Sequence, residues 1–245
     1  MFLHEYFPYK SKSTFTIAMV LVVFSFCLFG RCFAQINTKQ LGSWAMFFNQ
    51  TRLHTKWSIH SEIQFRSYDV QPNTEQLLMR GGINFHYNPN IILSAGCGWI
   101  TNYADDGGII KSQTVTEKRL WEQGILKNNS GRLFFEHRYR FEQRWIETAT
   151  TNSYKNRIRY LLRMTIPINK KEMGKNTLFL SVYDEIFLHL NKNPWDRNRL
   201  YGALGFQFSP SVNLQIGYLQ QIVGIQSKQY LQVGLNYNPD LRKAK

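Results

Sequence analysis

Cysteine is almost missing from this chain: three occur in 245 residues, and two of them, Cys27 and Cys32, fall within the first 34. Beyond that point Cys97 stands alone, so no internal disulfide can form there, and no Cys/His cluster has zinc spacing. Acidic residues are scarce as well, 16 against 30 Lys and Arg, for a net charge of +14. There is no P-loop and no cofactor box. The one Gly-x-Gly, Gly96–Gly98, lies in a strand-like stretch with no helix after it, so no cofactor is implied. A mean hydropathy of −0.36 excludes a helical membrane bundle. Linkers and low-complexity stretches are absent after residue 34, which points to one domain.

What is present begins with an export signal. Lys10 and Lys12 precede the apolar run Phe15–Phe29, which is too short for a spanning helix, and Cys32-Phe33-Ala34 offers a small-x-small cleavage site before Gln35. Residues 1–34 therefore read as a signal peptide and 35–245 as the mature domain. That domain retains 27 basic and 15 acidic side chains, a charge of +12. Its Lys and Arg are spread along the chain rather than gathered in a patch. Together with export, this argues against a nucleic-acid partner.

The mature chain alternates. In Tyr154–Pro167, Tyr154, Ile158, Tyr160, Leu162, Met164 and Ile166 share one strand face, and Lys155, Arg157, Arg159 and Arg163 share the other. The same alternation runs through Arg132–Trp145 and Thr177–His189. Eleven strands can be drawn: 42–49, 56–68, 74–87, 91–102, 116–127, 132–145, 154–166, 177–189, 197–208, 212–222 and 228–237. Turn chemistry at 88–90, 128–131, 169–176 and 209–211 alternates with longer connections at 69–73, 103–115, 147–153, 191–196 and 224–227. An apolar face on most strands, a charged second face and a 15% aromatic content fit interfacial girdles around a membrane barrel better than a soluble sandwich. The expected fold is all-β: an antiparallel, up-and-down transmembrane barrel of about 10–12 strands in a Gram-negative outer membrane. Bacterial barrels favour even counts, so ten or twelve fits better than eleven, with Ile36–Gln40 as a candidate extra strand. Gln232–Tyr237 has the spacing of a terminal strand read by the barrel-insertion machinery, although Pro239 stands where its final aromatic belongs.

FFEHRYRFEQRW (Phe134–Trp145), YKNRIRYLLR (Tyr154–Arg163), EIQFR (Glu62–Arg66), EQLLMRGG (Glu75–Gly82), YDEIF (Tyr183–Phe187), NRLYGALGF (Asn198–Phe206) and the early Trp44 resemble a bacterial family known only as a domain of unknown function, DUF2490-like. The resemblance implies an outer-membrane-type barrel. It implies no activity and no catalytic residues.

The inward face carries a ladder of Arg138, Arg140 and Arg144 with Glu136 and Glu142, beside Arg157, Arg159 and Arg163. Glu62, Arg66, Arg80, Glu122, Glu185 and Arg199 are expected to join it from other strands. Cross-strand Arg–carboxylate pairing would fill a narrow interior. The expected role is non-enzymatic, in a monomer whose partners are outer-membrane lipid and the insertion machinery. The first alternative is a narrow pore for small anions, since inward Arg outnumber inward Glu. The second is a lipid hydrolase or acyltransferase using Ser58, His60 and Glu62. Residues two apart on a strand are about 6.8 Å apart, so a neighbouring strand would have to complete any Ser–His contact. His137 is expected on the lipid face. Asp105–Gly108 is acidic and oxygen-rich as in loose calcium sites, but two carboxylates without regular further ligands read as a plain hairpin loop.

Overall fold

The computed structural model describes residues 41–71, 73–105 and 113–242. The expected signal peptide 1–34, the candidate strand Ile36–Gln40 and residues 106–108 of the acidic loop lie outside these.

Alternating apolar and polar side chains have one outcome here: every described element is a strand. They run β1 (Leu41–Arg52), β2 (Trp57–Ser67), β3 (Thr74–Asn88), β4 (Ile91–Tyr103), β5 (Gln113–Ser130) and β6 (Leu133–Thr148). The series continues with β7 (Asn152–Pro167), β8 (Thr177–His189), β9 (Trp195–Ser209), β10 (Val212–Val223) and β11 (Gln226–Tyr237). Each strand pairs antiparallel with the next in sequence, and β1 pairs with β11 to close a barrel.

That closing pair is parallel, in register from Leu41↔Gln229 to Asn49↔Tyr237. Two expectations are thereby corrected. The described strands number eleven rather than ten or twelve, and the sheet is mixed rather than wholly antiparallel. An odd up-and-down series returns its first and last strands in the same direction, so only a parallel ladder can cover the two edges that would otherwise stand open. The chain after β11 prolongs the seam: Arg52 N–H donates to Pro239 O at 2.8 Å and Leu241 N–H to Arg52 O at 2.9 Å. In this exposed tail the hydrogen-bonded Arg242 guanidinium holds the Asp240 carboxyl down at about 2.

One rim carries the connections β1–β2, β3–β4, β5–β6, β7–β8 and β9–β10, together with the end of β11. The opposite rim carries the other connections and the start of β1. Gly131 and Gly224 both have φ near +58°, the left-handed conformation their two-residue hairpin connections require.

The interior has two halves. On β1 and β9–β11 Trp44, Met46, Tyr201, Ala203, Leu219 and Tyr230 form one buried cluster, set among inward amides such as Gln221 and Gln232. On β5–β8 the interior is charged. Glycine makes room for the large rings. The Trp121 indole lies against Gly82 and Gly96, where a Cβ would come within 2.6 Å of it. The Gly96–Gly98 motif thus serves packing between β3, β4 and β5.

Candidate functional site

The inward residues of β6 and β7 meet in register: Glu142 opposite Arg157, Arg140 opposite Arg159 and Glu136 opposite Arg163. Glu62 faces Arg80 between β2 and β3, and Glu185 faces Arg199 between β8 and β9. At the centre Glu142, wholly buried, accepts from Arg157 at 2.5 Å and Arg159 at 2.6 Å, with Arg140 at 3.8 Å and Arg119 at 3.9 Å. Arg159 reaches on to Glu185 at 2.6 Å, and Arg138 joins there at 2.8 Å. Glu62 accepts from Arg80 at 2.8 Å, and Glu136 from Arg163 at 3.2 Å in a more open pair. Phe187 gives the cluster an aromatic floor, with the Arg159, Arg199 and Arg157 guanidiniums 4.3, 4.7 and 5.2 Å from its ring centre.

Two residues expected in this ladder stand differently. Glu122 is exposed on the outer wall, opposite Ala95 and Phe141. The phase of β5 is set by Trp121, whose indole fits the glycine-lined space inside and carries Glu122 outward. Arg66 points inward as expected but has no carboxylate within salt-bridge distance among the described residues; its Nε and Nη2 donate to Gln64 Oε1 at 3.2 and 2.6 Å.

Sequence reading missed Glu117 and Asp196. Glu117 accepts from Arg144 at 2.5 Å and also from Arg119. Asp196 accepts from Arg157 at 2.8 Å and Arg197 at 3.1 Å. With the correct phase for β5, the run Glu117, Arg119, Trp121, Gln123 would have joined the inward set. Asp196 sits at the first turn of β9, where alternation had not yet begun to inform.

The Ser58, His60, Glu62 row divides. His60 Nε2 lies 3.4 Å from Glu62, while Ser58 takes its partner from β3: His86 Nε2 is 2.8 Å from Ser58 Oγ. Asn84 Nδ2 donates to the same Oγ at 3.0 Å and Gln50 Nε2 at 3.4 Å. Because both amides donate, the hydroxyl hydrogen is left for His86, whose Nε2 accepts it. His137 is on the outer wall, its Nδ1 2.9 Å from Tyr160 Oη.

A cavity of about 490 Å³ runs beside the network. Its wall takes in alternate residues of β11 from Gln226 to Asn236, one end of the strand to the other. Eleven arginines and Lys228 line it against four glutamates. Pairing in the interior is therefore partial, and cations are in excess.

Fold and site together define a closed β-barrel with an apolar outer wall and a cation-rich, partly charge-paired interior. The family described as Protein of unknown function (DUF2490) matches residues 41–232, and this chain belongs to it. No curated protein and no solved structure matches the chain.

Proposed function

We propose that this protein is an integral outer-membrane β-barrel, exported through residues 1–34, whose interior passes small anions without turning over a substrate. The outer wall supports embedding. Ile63, Ile83, Leu93, Leu204 and Ile216 are each at least half exposed there, an apolar surface of the kind that meets lipid or a partner. Eight exposed aromatics lie towards the rims, Trp57, Tyr87, Phe208 and Tyr237 near one and Trp99, Trp145, Tyr154 and Trp195 near the other, with Phe47, Tyr139 and Tyr218 between them. Lys118 on the outer wall sits 5.0 Å from the Trp99 ring centre, its amine able to reach a headgroup layer. Girdles of this kind flank the lipid band of membrane barrels.

The observation that carries the anion reading is the cavity along β11 with its excess of guanidinium groups. Fixed positive charge on a narrow polar wall attracts anions and repels cations. In planar bilayers under a salt gradient, folded protein should give discrete steps with an anion-selective reversal potential. Arg140→Gln should shift that potential towards neutrality. Silence from protein with intact heat-modifiable gel mobility would remove the conduction reading.

The Ser58–His86 contact favours a second reading, acyl transfer or lipid hydrolysis by a serine nucleophile with a histidine base. Neither residue lines the cavity, and no carboxylate hydrogen-bonds His86 among the described residues. This reading requires lipid turnover in mixed micelles that Ser58→Ala abolishes while the barrel stays folded.

A further inference from the structure

Most arginines of the interior answer a carboxylate at close range, but Arg66, Arg140 and Arg199 on the cavity wall are held by glutamine oxygens instead, and Arg66 and Arg199 share one indole. Arg66 and Arg199 are both more than nine-tenths buried. Arg66 is held by Gln64, and Arg199 Nε donates to Gln221 Oε1 at 2.8 Å; the carboxylate nearest Arg199, Glu185, is 3.9 Å away. An amide oxygen satisfies an N–H without cancelling a charge. Both guanidiniums also lie over one indole, that of Trp44, at 4.0 and 4.9 Å from its ring centre. Their central carbons are thus at most about 9 Å apart, and both guanidiniums face the same stretch of cavity wall. Trp44 is itself buried, lines the same cavity, and its Nε1–H has no hydrogen-bond partner among the described residues.

Each of these features is unfavourable by itself. Two like charges held out of water repel each other, and a buried donor without an acceptor loses its hydration for nothing in return. One ligand resolves all three: a small oxyanion that takes N–H donors from both arginines and reaches the indole edge. Arg is suited to it because its planar fork matches phosphate oxygens and keeps its charge. Register explains how the site is assembled. Trp44 of β1 is paired directly with Arg66 of β2, while Gln221 of β10 is paired with Arg199 of β9 and turns it towards β1.

We propose that Arg66, Arg199 and Trp44 form a binding site for a phosphate-class oxyanion on the cavity wall. The site stands on the barrel interior alone, so a silent bilayer recording leaves it untouched, just as conduction without binding leaves the pore reading standing.

The test is titration of the folded, detergent-solubilised protein with inorganic phosphate at constant ionic strength, against chloride. Binding is followed by heat and by tryptophan fluorescence, to which Trp44 should contribute a phosphate-dependent change. Arg66→Gln and Arg199→Gln should each weaken phosphate binding by about tenfold or more, whereas Arg163→Gln at its more open pair should not. Should either arginine variant fail to fold, Gln221→Glu supplies an internal carboxylate to Arg199 and should displace phosphate while leaving every guanidinium in place. Glycerol 3-phosphate titrated in parallel separates the sources: tighter binding than inorganic phosphate assigns the site to a lipid-type headgroup, and weaker binding to the free ion. Absence of phosphate binding by folded wild-type protein, or undiminished binding by the Arg66→Gln and Gln221→Glu variants, would overturn the proposal.

Discussion

Glu142 has no exposed surface and answers two arginines closely and two more at longer range. Removing its charge leaves Arg157 and Arg159 buried without their central counterion. Glu142→Gln should therefore destabilise the barrel by about 3–5 kcal/mol, read as a lowered denaturant midpoint in micelles. Glu136→Gln offers the contrast. Its pair with Arg163 is about a third and a fifth exposed, where solvent screens the interaction, so the cost should be about 0–1 kcal/mol. Equal losses in the two variants would mean that the network does not depend on burial. Most of this ladder was legible in the sequence because Arg and Glu recur every second residue in Phe134–Trp145 and Tyr154–Arg163. Glu122 was not. A tryptophan beside a glutamate in Trp121-Glu122 looks like an outward ring and an inward acid, and only the space left by Gly82 and Gly96 on other strands reverses the pair. His86 was equally hidden, because Ser58 finds it 28 residues away through the β2–β3 register.

Among the elements, β4 shows how backbone and ring share space. Gly96→Ala would push a methyl into Trp121 and the Gly81 carbonyl of β3, and should cost about 1–3 kcal/mol. Gly98→Ala, whose nearest neighbour would be 3.3 Å away, should cost less. Parity in the unfolding midpoints of the two would argue against the ring as the cause. The strands themselves were readable, all eleven to within three residues at each end, because their alternation is local. Their closure was not, since nothing within β1 or β11 encodes its pairing with a strand nearly two hundred residues away. Parallel pairing is slightly weaker per residue than antiparallel. In hydrogen exchange, amides of β1 and β11 that face each other should therefore open before those of β6 and β7, and the reverse order would place the weakest seam elsewhere.

For the molecule as a whole, Cys97 is a built-in reporter of what surrounds it. Its thiol is exposed on the outer wall, paired across to Gly81 and Leu120, so protein alone does not shield it. Reconstituted in bilayers, residues 35–245 should react with a charged maleimide far more slowly than the same chain in denaturant. Equal rates would count against an embedded barrel and favour an aqueous outer surface.

The odd strand count also restricts how the chain could be rearranged. Barrels with an even number of strands bring both chain ends to one rim, and a short linker can join them when new ends are cut elsewhere. Here β1 begins at one rim and β11 ends at the other. Twelve strand residues tilted as in small barrels separate the rims by roughly 30 Å. A linker joining Tyr237 back to Leu41 would need at least about nine extended residues, laid along the wall or threaded through the interior. Circular permutation, which needs only a short linker in an even barrel, here demands one that spans the full height of the wall, and parity alone imposes it.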